Sequence, residues 1–109
     1  MLSANQKNPK IAIITPVYNT ARYLRECLDS ILSQTYKNFA VFTIDDGSTD
    51  DSGQILDEYA AKDCRIITIH KKNGGVSSAR NTALDAIEND GSFDYITFVD
   101  SDDVVKTRV

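Results

Sequence analysis

Four short apolar runs separated by three stretches of helical periodicity constrain this chain more than any other feature. The runs fall at 10–15, 39–44, 65–70 and 95–99, and they are apolar throughout rather than alternating as half-exposed strands do. Leu24, Cys27, Leu28, Ile31 and Leu32 recur at helical spacing, with Arg22, Arg25, Glu26 and Asp29 on the opposite face. Ile55, Leu56, Tyr59 and Ala60 form a second stripe; Val76, Ala79, Ala83, Leu84 and Ile87 form a third. A helix is expected to start at Thr20, Ser48 to Ser52 supplies capping residue types for the next, and Asn89-Asp90-Gly91 stops the last. Pro16 is expected to close the first strand.

The order β-α-β-α-β-α-β predicts an α/β fold: a Rossmann-like, mostly parallel sheet with helices on both faces and right-handed crossovers. A chain of 109 residues accommodates one such domain, residues 10–109, behind a polar lead at 1–9 that is expected to fray. Net charge −4, with Lys71-Lys72 as the one adjacent basic pair, argues against nucleic acid as a partner. Cys27 and Cys64 both fall in apolar-patterned segments and read as free core thiols in a reducing compartment. No segment has the pattern of a signal peptide or approaches the roughly 20 apolar residues of a membrane span. A cytoplasmic location is expected, or a peripheral one on the cytosolic face of a membrane.

Parallel sheets bind ligands beyond the carboxyl ends of their strands, near the point where strand order reverses. Every unusual residue cluster of this chain lies at such an end. Thr15-Pro16-Val17-Tyr18-Asn19 follows the first strand, Asp45-Asp46 the second, Asn73-Gly74-Gly75 the third and Asp100-Ser101-Asp102-Asp103 the fourth. Adjacent carboxylates repel unless a cation or a donor-rich ligand sits among them. In an extended exit from a strand, Asp100 and Asp102 face one way and Ser101 the other, so the pair suits Mg2+ or Mn2+ carrying phosphate; helix capping by Asp102 and Asp103 is the alternative. For Asp45-Asp46 the choice is between turn geometry and a carboxylate that accepts from a pyrimidine imide or a ribose hydroxyl. Tyr18 either stacks on that group or packs as a surface aromatic. The glycines ahead of Val76 permit close backbone approach, and Arg80 either pairs with a phosphate, braces an acidic loop or lies on the surface. His70 has no second His or Cys at ligand spacing and reads as a strand-end residue.

Five segments, taken in order, resemble the nucleotide-binding half of family 2 glycosyltransferases with the GT-A fold. They are residues 15–19, Ser30-Ile31-Leu32-Ser33-Gln34-Thr35-Tyr36, Asp45-Asp46-Gly47-Ser48-Thr49-Asp50, Asn73-Gly74-Gly75-Val76-Ser77-Ser78-Ala79-Arg80-Asn81 and Asp100-Ser101-Asp102-Asp103. The resemblance implies a nucleotide-sugar donor, in the first instance a UDP-sugar, a Mg2+ or Mn2+ ion, and inverting transfer to the hydroxyl of a glycan, lipid-linked or other acceptor. It places Pro16, Val17, Tyr18, Asn19, Asp46, Gly75, Arg80, Asp100 and Ser101 at the donor. The metal falls to Asp102, with Asp100, in a D-x-D motif. The family's general base is expected beyond Val109, which makes this an incomplete GT-A domain, truncated on its C-terminal side and not expected to transfer sugar efficiently alone.

A nucleotidyltransferase would carry a Gly-rich, Arg-containing loop after the first strand. Asp100-Ser101-Asp102-Asp103-Val104 fits the nucleophile motif of haloacid dehalogenase phosphatases, but those place it on their first strand. A receiver domain would need acidic residues after strand one and an aspartate after strand three. The non-enzymatic alternative is an inactive nucleotide-binding fragment or an assembly module. An apolar sheet edge at the fourth strand is expected to favour self-association.

Overall fold

The computed structural model describes residues 8–102, in which four strands and three helices alternate. They are β1 (Ile11–Val17), α1 (Ala21–Leu32), β2 (Phe39–Asp46), α2 (Ser52–Lys62), β3 (Ile66–Lys71), α3 (Val76–Asp90) and β4 (Tyr95–Phe98). The sheet is wholly parallel, in the order β3-β2-β1-β4. This is the α/β architecture expected from the apolar runs. Most of the polar lead, and Asp103 with the residues after it, lie outside the described residues.

Strand pleating divides the core in two. Successive side chains point to opposite faces, so Ile13 and Val17 of β1 join Phe39 and Val41 of β2 on one side. There they meet Leu24, Cys27, Leu28 and Ile31 of α1 and Ile55 and Leu56 of α2. Ala12 and Ile14, with Ala40, Phe42 and Ile44, face the other way and meet Ala79, Ala83 and Ile87 of α3. Small residues at 79 and 83 let α3 lie close to the sheet. Full burial of side chains such as Leu24, Leu28 and Leu56 stabilises the fold by roughly 1.5–3 kcal/mol each. Gly91, left-handed at φ 72°, ends α3 with its N–H on Ile87 O at 3.0 Å.

Three expectations change. Pro16 lies inside β1 rather than closing it. A parallel strand directs alternate residues to alternate neighbours, and Ile14 C=O, which accepts Val99 N–H at 3.0 Å, faces β4. Pro16 faces the same way, past the end of the β1–β4 ladder at Phe98, so its missing N–H costs no sheet bond. β2 runs two residues further than expected and includes Asp45 and Asp46, paired in register with His70 and Lys71 of β3. Cys27 is buried as expected, but Cys64 is exposed in the turn between α2 and β3; both are free thiols.

β4 departs most. Although apolar in sequence, Tyr95, Ile96 and Phe98 are 63%, 45% and 48% exposed. Among the described residues β4 is an edge strand, and α3 packs mainly across β1 and β2, touching β4 through Arg80 over the Phe98 ring. Helical cover therefore lies over the centre of the sheet and thins at this edge.

Candidate functional site

Strand order reverses between β1 and β4, the place where parallel sheets open a crevice at the carboxyl rim. A cavity of about 360 Å³ lies there. Pro16, Val17 and Tyr18 form one wall, Asp100, Ser101 and Asp102 another, Asp46 closes the β2 end, and Val76 and Ala79 of α3 complete it. Tyr18 is half exposed at 49%, with its ring available to a flat ligand. The volume lies within the roughly 300–1,000 Å³ range of small-molecule sites.

Asp46 is the buried acid of this cavity, its side chain 4% exposed. Oδ1 accepts from Lys71 Nζ at 2.9 Å and Gly74 N–H at 3.0 Å. Oδ2 accepts from Gly75 N–H at 2.9 Å, with Asn73 Nδ2 at 3.4 Å. Burial would raise the Asp46 pKa, but the Lys71 ammonium and the two glycine amides outweigh it and hold the carboxyl below its ordinary value. The carboxylate thus fixes the β3–α3 loop. Gly75, at φ 94°, needs the freedom of glycine to aim its amide at Asp46, which leaves that amide engaged rather than free for a ligand.

Asn19 joins two rims. At φ 52° it turns the chain after β1, and its Oδ1 accepts from Thr49 N–H at 2.8 Å and Asp50 N–H at 3.3 Å. Ser48 Oγ in turn accepts from Asn19 N–H at 3.1 Å. Asn19 therefore shapes the wall that carries Tyr18 and is not itself among the lining residues. Asp50 is buttressed too. Burial raises its pKa, and the Ser52 hydroxyl and N–H and the Ala21 N–H bring it below the ordinary value.

The acidic residues after β4 form a turn at Ser101 and Asp102 rather than the extended exit expected. The outcome for side chains is similar. Ser101 is 6% exposed and turns inward, whereas Asp100 and Asp102 are exposed on the cavity wall. Neither carboxylate forms a hydrogen bond or ion pair with the described residues. Two unengaged hard oxygen donors side by side fit Mg2+ or Mn2+, which keep several waters and take one or two carboxylates together with phosphate. Among the described residues no third Asp, Glu, His or Cys joins them. Asp103, the third carboxylate of the sequence motif, lies outside the described residues.

Arg80 sits one residue past Ala79 but does not line the cavity. Its guanidinium carbon lies 5.1 Å from the centre of the Phe98 ring, and its Nε is buried without a hydrogen-bond partner. His70 also stays outside the cavity. Its Nδ1 lies 2.9 Å from Asp45 Oδ2 and its Nε2 2.7 Å from Asp57 Oδ1, an arrangement that wants both nitrogens protonated. Asp57, then Asp45, raise the imidazole pKa against the opposing effect of burial.

Sequence reasoning missed Lys71 and Thr20 at the site. Lys71 carried a signal, since a lysine at a strand end beside an acidic strand end can pair with it; Thr20 becomes a neighbour of Ser101 only through the sheet.

The model of the family described as "Glycosyl transferase family 2" matches residues 12–108. Glycosyltransferase GlyA of Streptococcus pneumoniae serotype 4 is 53% identical over 97 residues, covering 89% of this chain and 13% of that protein. The crystal structure of S. aureus TarS in complex with UDP superposes with a TM-score of 0.79 at 32% identity, over 91% of this chain and 29% of that one. The mannosyltransferase PcManGT from Pyrobaculum calidifontis, in complex with GDP-Man and Mn2+, superposes with a TM-score of 0.80 at 25% identity, over 93% of this chain and 30% of that one. The chain thus spans less than a third of the length of each of these proteins.

Proposed function

Because the chain belongs to glycosyl transferase family 2, we propose that it binds the nucleoside diphosphate of a sugar donor in the cavity between β1 and β4, for metal-dependent, inverting transfer to an acceptor hydroxyl. The observation that carries this reading is the composition of one cavity: an accessible tyrosine, a buried carboxylate and two unengaged carboxylates, Asp100 and Asp102. The similarity to chains that hold UDP and GDP-Man supports it.

Tyr18 stacks on the base or ribose, with Pro16 and Val17 behind it. Asp46 accepts from the imide N–H of a uracil, which makes a UDP-sugar the first donor to test. This must displace or share one of the donors Asp46 already holds, so base binding is coupled to the Gly74-Gly75 loop. Arg80, one residue past the cavity-lining Ala79, is the candidate partner of a phosphate through its terminal guanidinium nitrogens, since its Nε is buried. Asp102, with Asp100, would hold Mg2+ or Mn2+; bound there, the ion supplies neutralisation of the charge that grows on the departing diphosphate. Among the described residues none is assigned as general base, and the acceptor is a glycan, a lipid-linked or another hydroxyl compound.

Two free thiols, one of them exposed, suit a reducing compartment, and we place the protein in the cytoplasm or on the cytosolic face of a membrane. No helix among the described residues is long and apolar enough to cross a membrane. The open edge at β4 is proposed to support self-association.

Thermal unfolding with UDP and Mn2+ tests the donor site. At about 100 times Kd the ligand adds about 2.7 kcal/mol of stability, and Asp102→Ala should abolish the resulting shift. No stabilisation by any nucleoside diphosphate would overturn the assignment.

A further inference from the structure

The N-terminus of α1 is capped from outside its own segment. Thr20 occupies the N-cap position, yet its side chain makes no capping hydrogen bond. Asp50 Oδ2 accepts from Ala21 N–H at 3.2 Å, and Ser52 Oγ accepts from Thr20 N–H at 3.0 Å. This arrangement releases a hydroxyl that at an N-cap ordinarily serves the helix. The Thr20 hydroxyl instead donates to Ser101 Oγ at 2.9 Å. Two turns further along α1, the buried Cys27 directs its S–H toward the backbone carbonyl of Asp100 at 3.4 Å. Two consecutive residues of the acidic turn are therefore tied to one face of α1. The carboxylates on either side of Ser101 are left facing the cavity.

We propose that Thr20 is a positioning residue for the acidic turn, acting through Ser101 to hold Asp100 and Asp102 at the spacing a divalent cation and a diphosphate require, with Cys27 as a second tether. The inference rests on the donor-site reading above. Thr20 lines the cavity, but its hydroxyl is committed to Ser101 rather than offered to a ligand. Among the described residues, the bonds from Thr20 and Cys27 are the side-chain bonds that reach this turn. Among the described residues Ser101 is held by one side-chain bond, and without it Asp100 and Asp102 gain freedom that must be lost again on binding.

The test compares Mn2+-UDP with uridine alone, since uridine reaches the Tyr18 and Asp46 end without using the acidic turn. Thr20→Val should weaken Mn2+-UDP about tenfold or more while changing uridine affinity by about twofold at most, and Thr20→Ser should restore the wild-type value. Amide hydrogen exchange of the ligand-free protein gives an independent readout: Ser101 and Asp102 should exchange faster in Thr20→Val and as in wild type in Thr20→Ser. Cys27→Ala should shift both readouts in the same direction by a smaller factor. Equal weakening of Mn2+-UDP and uridine, unchanged Mn2+-UDP affinity, or failure of serine to rescue would overturn the proposal. Wild-type protein that binds neither ligand would overturn the donor-site reading and this inference with it. Unchanged exchange at Ser101 and Asp102 in Thr20→Val would refute the tether alone.

Discussion

Lys71 and Asp46 are register partners on adjacent strands, and the Lys71 ammonium lies 2.9 Å from Asp46 Oδ1. The pair is mostly shielded, with side chains 19% and 4% exposed. Asp46→Asn keeps the shape but sets an amide N–H against groups that are all donors. We expect a loss of about 2–4 kcal/mol in urea unfolding, because Lys71 is left without its counter-charge. Since the folded Asp46 pKa lies below the ordinary 3.8, its contribution is present above that pH and disappears as pH falls through the folded value. An Asn variant as stable as wild type at neutral pH would show that Asp46 does not anchor the loop.

Gly75 and Gly47 separate two costs of a side chain. Gly75 has φ 94° and open space where a Cβ would lie, so Gly75→Ala carries backbone strain alone, about 1–2 kcal/mol. At Gly47, φ is 75° and a Cβ would come within 2.7 Å of Asn73 N, a backbone atom that cannot swing aside. Gly47→Ala should therefore be the more destabilising in the same urea titration; the reverse order would mean that the β3–α3 loop yields freely.

His70 gives stability an alkaline slope. Its folded pKa is raised above the ordinary 6.5, so the folded state binds more protons than the unfolded one in the window above that value. The stabilisation is complete below pH 6.5 and is lost as pH rises through the folded pKa. His70→Gln should flatten the dependence of unfolding free energy on pH in that window, and a slope identical to wild type would assign it to another group.

The open edge at β4 should make association depend on its apolar face. Ile96→Lys puts a charge on a residue already 45% exposed, so it should reduce self-association in sedimentation velocity at a stability cost within about 1 kcal/mol. Concentration-dependent association that is unaffected by the lysine would place the contact elsewhere.

What could be read from the sequence was what repeats locally. Continuous apolar runs and stripes such as Leu24, Cys27, Leu28 and Ile31 announce a helix-covered parallel sheet, and the acidic and glycine-rich clusters do converge on one rim. Pro16 misled because its effect on a strand depends on which neighbour it faces, and that is decided by where β4 ends. Cys64 misled because an apolar pattern does not reveal which of its residues falls in the turn between a helix and a strand. Thr20 and Ser101, or Asn19 and Thr49, meet across 81 and 30 residues, and no sequence period relates them.

The β1–β4 ladder begins with Ile11 opposite Tyr95, the widest separation of any strand pair in this sheet, whereas β1 and β2 close a much shorter loop, beginning with Ile11 opposite Phe39. Loop-closure entropy makes the longer pairing the later one to be rewarded. Time order within folding then maps onto the cavity: the wall built on β1 and β2 is ready first, and the acidic wall arrives when the last strand docks. Destabilising substitutions in β4 should accordingly speed unfolding and leave the refolding rate nearly unchanged.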